Sequence, residues 1–341
     1  MKKTLVAVAV AALAATSANA AEVYNQDGTK VDIGGSIRLL LSKDKGERVD
    51  LKNDGSRFHF KASHDLGDGY SALGYLETRL SNFDTSDEHT NITVKRLYAG
   101  FAKDGVGTLT FGRQLTNLDD VGVSDYTYDL GGINQTATDG AKVVKFRSAD
   151  FGGFSFGLDY LFGQKDKAVH NFDSGFGVSA FYTVALAADT KLNVEAGFSQ
   201  LKKSYTTEYV KENAFLVGAE LVSGPFAIGV DYSQKKHSDD SYSITNDTYG
   251  VTDAGKVREL EVGVKYSYLE NASIYGEYIN GKASLAADDY VKRNTFILGT
   301  DYWFTKSVVA YLEGGTTQLK KHKAGDKDRD NKVGVGFRVY F

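Results

Sequence analysis

The sequence predicts an all-β fold, an antiparallel up-and-down β-barrel of 16 strands that crosses a membrane. Apolar and polar residues alternate with a period of two, the alternating segments are roughly ten residues long, and their connections are alternately long and short. About ten residues is the length that a tilted strand needs to cross a bilayer. The ring must close because lipid cannot hydrogen-bond an open sheet edge.

The alternation is clearest in the last segment of the chain, where a strand separates two kinds of residue that a helix would mix. One face is apolar and carries Val333, Val335, Phe337, Val339 and Phe341. The other face carries Lys332, Gly334, Gly336, Arg338 and Tyr340. Such two-sided strands fit a wall with lipid outside and water inside.

The connections are sorted by length. Short turns such as 67–69 and 270–271 alternate with long polar segments such as 42–55, 113–140 and 202–213. A barrel with one rim towards the periplasm and the other towards the exterior requires this order. A large soluble all-β protein, the alternative fold, has no reason to sort its loops in this way.

The first twenty residues resemble a secretory signal peptide. Lys2 and Lys3 precede the apolar stretch 5–15, and Ala18-Asn19-Ala20 fits a signal-peptidase site. We therefore expect a cleaved signal at 1–20 and a single barrel domain at 21–341. After residue 20 no apolar run approaches eighteen residues, so a transmembrane helix is not expected.

Composition narrows the chemistry. The chain has no cysteine, which excludes disulfides and thiol-ligated metals, and its six histidines lack ligand spacing. One proline beside 21 tyrosines and 20 phenylalanines suits long strands. A net charge of −4 argues against nucleic acid as a partner. We expect neither a cofactor nor a bound metal.

The connection at 113–140 differs from the others because it is the longest, acidic and partly apolar. It contains Asp119, Asp120, Asp125 and Asp129. Leu130 and Ile133 are too apolar for a freely solvated loop, and long loops of this kind usually pack against something. The inside of the barrel wall is the only large surface available to it.

The chain resembles the general diffusion porins of Gram-negative bacteria over nearly its whole length after residue 20. Six fragments and their order carry the resemblance: Ala21-Glu22-Val23-Tyr24-Asn25, Ser56-Arg57-Phe58-His59-Phe60-Lys61, Gly74-Tyr75-Leu76-Glu77-Thr78-Arg79, Lys95-Arg96-Leu97-Tyr98-Ala99-Gly100-Phe101, Phe111-Gly112-Arg113 and the C-terminal run 334–341 that ends on Phe341. The resemblance implies a homotrimer of 16-stranded barrels whose third external loop folds into the lumen and narrows each pore.

In such porins the third loop carries acidic residues just before a pair of glycines. Here Gly131-Gly132 follow Asp125 and Asp129, which we assign to the acidic side of the constriction. Asp119, farther back on the same loop, is assigned to that side as well. This chain has Tyr128-Asp129-Leu130 where the family often has Pro-Glu-Phe, which keeps the charge but leaves the path of the loop open.

The family places basic residues on the wall opposite this loop, and Arg57 and Arg96 match two of those positions. Arg38 and Arg147, whose neighbour Lys145 shares its parity, match more loosely. If Arg57 and Arg96 point inward, the apolar residues next to them face lipid. Charges on the lipid face would cost about 2–4 kcal/mol at the midplane, so inward placement is favoured. All four arginines could instead line the lumen above or below its neck.

The expected function is passive diffusion of small hydrophilic solutes and ions across the outer membrane, with outer-membrane lipid and lipopolysaccharide as surroundings. A barrel used mainly for adhesion or as a receptor through its long loops is the alternative. A sugar-specific channel would need a row of inward aromatics, and a barrel enzyme would need a clustered nucleophile and base. The run Gly153-Phe154-Ser155-Phe156-Gly157 fits a hydrolase motif, but it lies within a strand instead of the strand-to-helix turn that motif needs.

Overall fold

The computed structural model describes residues 20–83, 91–166, 172–205, 208–238, 244–285 and 289–341, and these form one 19-stranded sheet. The strands are β1 Ala21–Gln26, β2 Thr29–Lys43, β3 Asp50–Asn53, β4 Arg57–Gly67, β5 Tyr70–Leu80, β6 Ile92–Lys103, β7 Gly107–Leu115, β8 Asp139–Ser148, β9 Phe154–Phe162, β10 Phe172–Ala187, β11 Thr190–Tyr205, β12 Glu208–Ser223, β13 Phe226–His237, β14 Ile244–Asn246, β15 Val251–Leu269, β16 Ala272–Leu285, β17 Tyr290–Thr305, β18 Val308–Lys321 and β19 Lys327–Tyr340.

Sixteen of these strands close an antiparallel ring, which confirms the predicted barrel. β2, β4 to β13 and β15 to β19 follow one another around it, and β19 pairs with β2 to close it. Beyond the paired strands, the N–H and C=O groups of Gly35 and Phe341 exchange hydrogen bonds of 2.7 and 3.1 Å. The three remaining strands are short additions: β1 and β3 pair with β2, and β14 pairs with β15.

One end of the barrel has short turns, as predicted. Between β4 and β5, Asp68 and Gly69 both have positive φ, at 51° and 73°, which gives the tight reversal of a two-residue hairpin. Three connections at the other end are shorter than we predicted. β11 and β12, for example, stay paired as far as Tyr205 and Glu208 although 202–213 was expected to be a loop. Likewise, within the loops predicted at 281–291 and 320–331, β16 and β17 stay paired as far as Ser284 and Tyr290, and β18 and β19 as far as Lys320 and Lys327. Polar strands keep their ladder hydrogen bonds in water.

The wall has two chemically different faces. Large apolar side chains are exposed on its outer face, including Phe60, Leu97, Phe101, Phe296, Leu298 and Phe337. Residues of the opposite parity are polar and buried, including Glu77, Asp231, Glu261, Asp301, Glu313 and Arg338. An apolar exterior around a polar interior is the arrangement that a membrane barrel requires.

Helix contributes little to the described ranges. Two single turns of 3₁₀ helix occur there, Asn117–Asp120 and Asp247–Tyr249. No helix within these ranges is long and apolar enough to cross a membrane. The predicted signal peptide lies outside the described residues except for its last residue, Ala20.

Candidate functional site

Three arginines surround one buried carboxylate on the polar face of β4, β5 and β6. Glu77 is only 3% exposed and accepts hydrogen bonds from Arg79 Nε (2.9 Å) and Arg96 Nη1 (2.9 and 3.0 Å). Arg57 Nη1 lies 3.9 Å from the same carboxylate, and Arg57 Nε donates to the Gly55 carbonyl. The structure thus brings Arg57 and Arg96 into one cluster, in which three cations face a single anion.

A β-bulge sets the direction of Arg96. The β5–β6 register passes from Glu77 opposite Arg96 to Thr78 opposite Val94, which leaves Lys95 as the extra residue. Val94 is therefore exposed on the outer face although it is two residues from the inward Arg96. On the C-terminal side of the bulge, Leu97 is 58% exposed on the outer face. Its neighbour Arg96 therefore points inward, which is the parity that we predicted.

Arg38 lies on the same wall but outside this cluster. Its Nε donates to Ser36 Oγ (2.9 Å), and its register partner on β19 is Arg338. The Arg338 Nη2 group donates to Asp54 Oδ2 (2.6 Å) and to the Tyr128 carbonyl (2.9 Å). Arg338 therefore connects the segment 44–56 to the segment 116–138.

Arg147 of β8 belongs to a separate group, which includes the first residues of the segment 116–138. Its Nη1 lies 3.4 Å from Asp120 Oδ2, and its guanidinium lies 3.6 Å from the ring centre of Phe181. Asp119 shares the 3₁₀ turn with Asp120. Desolvation and the neighbouring Asp120 raise the pKa of Asp119 above its ordinary value. The ion pair of Arg147 is thus with Asp120, whereas the cations that act on Asp119 are Arg96 and Lys145.

Residues 116–138, which we call the third connection, are bound to the wall through their backbone. Eight of their N–H groups donate to six buried or half-buried carboxylates on β9, β11, β13, β15, β16 and β18. The pairs are Asn117 with Asp159, Gly122 with Glu195, Val123 and Ser124 with Asp231, Tyr126 with Glu277, Tyr128 and Asp129 with Glu313, and Gly132 with Glu261. A hydrogen bond within a protein contributes about 0.5–1.5 kcal/mol, so eight of them to side chains of six strands fix the path of the connection.

Apolar contacts fix the third connection at two further points. Leu118 and Val121 are buried against Phe181 and Leu216 of the wall. Ile133 is buried with Ile279 and Ile297, and Leu130 packs against them. Leu118, Val121, Leu130 and Ile133 thus all contact side chains of the wall strands.

Tyr128 occupies a socket in the wall. Its ring is stacked on Tyr311, with the centroids 4.3 Å apart and the planes 10° apart, and the Arg338 guanidinium lies 5.0 Å from its centre. Its hydroxyl donates to Asp301 Oδ2 (3.0 Å). Desolvation and the Asp301 charge raise the pKa of Tyr128, so this hydroxyl remains a donor. The departure from Pro-Glu-Phe thus replaces proline with an aromatic anchor.

The side chain of Asp125 is exposed next to the glycine pair. Its Oδ1 accepts hydrogen bonds from Thr127 N (2.9 Å) and Thr127 Oγ1 (2.7 Å). A side chain at Gly131 would collide with the carboxylates of Asp125 and Glu277, and Gly132 has a φ of +92°. Glycine is required at both positions because the backbone turns tightly between carboxylates.

Asp129 is also exposed, and it lines a cavity of about 490 Å³ together with Asp44, Lys52, Asp54 and Lys332. Desolvation by the surrounding wall and the nearby Asp54 carboxylate raise the pKa of Asp129 above its ordinary value of 3.8. Asp129 therefore takes up a proton more readily than a free aspartate does.

Sequence reasoning missed Glu77, Arg79, Arg338 and the carboxylates that bind the third connection. Strand parity could have identified Arg79 and Arg338, since both are inward residues whose neighbours along the strand face outward. Glu77 needs the β4–β6 register as well, because its partners lie on three strands. Among the described residues, no group of three or more His, Cys, Asp or Glu side chains is arranged to hold a metal ion.

Known proteins resemble this chain over its whole length. The family model described as Gram-negative porin matches residues 7–322. A "Major outer membrane protein" of Pasteurella multocida is 46% identical, and the alignment covers 100% of both chains.

Solved structures agree on the fold. The trimer form of OmpT, an outer membrane protein of Vibrio cholerae, has a TM-score of 0.69 at 19% identity. The anion-selective porin from Comamonas acidovorans has a TM-score of 0.72 at 17% identity. Each match covers 92% of this chain and 100% of the other. With the family match over nearly the entire chain, these findings establish that the protein belongs to the Gram-negative porin family and forms an outer-membrane channel for passive diffusion.

Proposed function

We propose that the third connection lies in the lumen, narrows this channel, and sorts small hydrophilic solutes and ions by size and charge. The observation that carries the proposal is the set of backbone hydrogen bonds from this connection to carboxylates on the polar face of six strands. A segment bound to that face reduces the open cross-section of a ring of sixteen strands, which is otherwise wide enough for bulk water.

Charge is distributed unevenly around the proposed neck. Arg57, Arg79 and Arg96 share the single carboxylate of Glu77, whereas Asp125 and Asp129 carry exposed carboxylates on the third connection. Opposed basic and acidic groups produce a transverse field in which a dipolar solute aligns as it passes. Apolar solutes must displace oriented water, so the neck filters by electrostatics without binding its cargo.

Three further features belong to the proposal. Residues 1–20 direct export and are then removed, which leaves one barrel domain at 21–341. The barrel assembles as a homotrimer, which is supported by family membership and by the trimer form of Vibrio cholerae OmpT. Lipopolysaccharide contacts the outer face, because that face is apolar and lies in the outer membrane.

The test of the pore is recording from the purified protein in planar bilayers. We expect ohmic conductance at low voltage and closure in three steps at high voltage, one for each pore of a trimer. Absence of conductance from folded protein would contradict the channel, and closure in a single step would contradict three independent pores.

Replacing both Asp125 and Asp129 with Asn should shift the permeability of the pore towards anions. A unit charge about 4 Å from an ion in water contributes about 1 kcal/mol, so each lost carboxylate should lower the cation permeability by a factor of up to about five and raise the anion permeability likewise. The reversal potential in a tenfold KCl gradient measures this ratio. The matched control is Asp150→Asn with Asp189→Asn at the short turns. If the reversal potential stays at its wild-type value, neither carboxylate lies at the neck.

Acidification should produce part of the same shift in the wild-type protein. The pKa of Asp129 is raised by desolvation and by Asp54, so its charge is lost at a higher pH than that of an ordinary aspartate. We expect reversal potentials to move towards anions as the pH falls, and Asp129→Asn should make this change smaller. An identical pH profile in the variant would show that Asp129 does not influence permeation.

A further inference from the structure

Five basic residues lie side by side on the outer face of neighbouring strands β15 to β19. Arg258 is opposite Lys282, Lys282 is opposite Lys292, Lys292 is opposite Lys320, and Lys320 is opposite Lys327. We call these five residues the basic row. Neighbouring strands are about 4.8 Å apart, so the row extends for about 19 Å around the barrel.

The basic row faces outward, away from the bore. On β15 and β17 its members alternate with buried residues of the polar face, namely Val257 and Glu259, and Val291 and Arg293. On β18 and β19, Lys320 and Lys327 share the parity of the exposed Leu312 and Val335. Arg258, Lys292, Lys320 and Lys327 are exposed, and Lys282 is half-buried with its Nζ 3.9 Å from the ring centre of Tyr290. The proposed electrostatic neck therefore does not use these charges.

The height of the row corresponds to the polar surface of the outer leaflet. On β15, Leu260 lies two residues below the row. Tyr278 on β16 and Phe296 on β17 lie four residues below it, and their ring centroids are 4.7 Å apart. These residues belong to the apolar band of the outer face. At about 3.4 Å per residue, the row is about 7–14 Å along the strands from this apolar surface. Its strands are joined by the short turns at their opposite ends, so the row is at the external end.

The row has no counter-charge of its own in the part of the chain that the structure describes. No ion pair of its five members with a described carboxylate is found, and the outward neighbours Asn280, Asn294 and Gln318 are uncharged. Asp289, at the connection above, pairs with His322 and accepts from the backbone N–H groups of Tyr290 and Lys323. Like charges directly opposite each other destabilise a sheet, so an external anion is needed to offset them.

We propose that the basic row binds the headgroup of a glycolipid of the outer leaflet that carries several phosphates, as lipopolysaccharide does. Lysine and arginine near a membrane surface attract anionic headgroups, and a row about 19 Å long fits several phosphates better than one. The apolar band below it would receive the acyl chains of the same molecule. This inference rests on the proposed outward contact with lipopolysaccharide and assigns it a site.

The test compares lipid binding by wild type and by the triple variant Lys282→Gln, Lys292→Gln, Lys320→Gln, with both proteins folded in detergent. The probe is bis-phosphorylated lipid A, and its dissociation constant is measured by native mass spectrometry. Each lysine contributes about 1 kcal/mol at a membrane surface, so the triple variant should bind about 100-fold more weakly. The single variant Lys292→Gln should bind about fivefold more weakly, which keeps the test decisive if the triple variant does not fold.

The matched control removes three lysines near the short turns, by Lys103→Gln, Lys191→Gln and Lys306→Gln, and should bind the lipid as wild type does. Dephosphorylated lipid A should bind wild type and row variants equally weakly. Wild-type affinity for phosphorylated lipid in the row variants would overturn the proposal, and pyrophosphate binding as tight as lipid binding would reduce it to a soluble-anion site. The row variants should conduct like wild type, so loss of the channel function would be seen separately.

Discussion

Glu77→Gln should make the pore more selective for anions and the barrel less stable. Among the described residues Glu77 is the only carboxylate that contacts Arg57, Arg79 and Arg96, so the substitution leaves three guanidinium groups without that counter-charge. Removing one partner of a buried ion pair typically costs 3–5 kcal/mol, and water in the bore reduces this for partly exposed arginines. We expect a loss of about 3 kcal/mol in the free energy of unfolding.

Two measurements check the Glu77 variant. Urea titration of the barrel in lipid vesicles gives the unfolding free energy, and the reversal potential in a KCl gradient gives the selectivity. Glu212→Gln is the matched control, because Glu212 is equally buried and bonds Lys203 (2.9 Å) and Lys235 (3.5 Å) on other strands. The control should lose stability with little change in selectivity. Equal reversal potentials in all three proteins would show that the Glu77 cluster does not face the permeation path.

Most of the fold follows from local alternation, because each strand must have one apolar and one polar face. That rule gave the number of strands in the ring, the order of long and short connections, and the inward direction of Arg57 and Arg96. It does not give the lengths of the polar ends of strands, since water satisfies a loop and a strand equally well. For that reason β11 and β12 continue beyond the predicted limits of their loop.

The site is less predictable because it depends on register between strands. The bulge at Lys95 reverses which residues face outward. The spacing of Ile92, Val94 and Leu97 indicates a change of phase, but the partner strand is needed to identify the extra residue. Glu77 contacts arginines from three strands, and the carboxylates that bind the third connection lie on six strands. Sequence shows that such residues are inward, but only the assembled ring shows which of them meet.

The family resemblance does not predict how this chain holds its third connection against the wall. Where relatives often carry Pro-Glu-Phe, Tyr128 provides a ring for Tyr311 and a hydroxyl for Asp301, and its carbonyl accepts from Arg338. These contacts combine an aromatic stack, a hydrogen bond to a carboxylate and a cation over a ring. The anchor is thus concentrated in one side chain, which makes the path of the third connection open to a single test.

Tyr128→Ala should release this part of the third connection and increase the conductance of each pore. Aromatic stacking contributes about 0.5–1.5 kcal/mol beyond burial, and a hydrogen bond to a charged group contributes about 1.5–3 kcal/mol. A loss of about 3 kcal/mol would raise the population of the detached connection roughly 100-fold. Single-channel recordings should therefore show larger open currents with more frequent fluctuations between levels.

Graded and matched variants separate release of the connection from general damage. Tyr128→Phe keeps the stack on Tyr311 and loses only the hydrogen bond to Asp301, so its conductance should lie between those of wild type and Tyr128→Ala. Tyr278→Ala removes a tyrosine from the outer face, where it packs on Phe296, and should leave the current unchanged. Because the backbone donors of residues 122–132 still bind their carboxylates, the barrel itself should remain folded. Wild-type currents from a correctly folded Tyr128→Ala protein would mean that the width of the pore is set elsewhere.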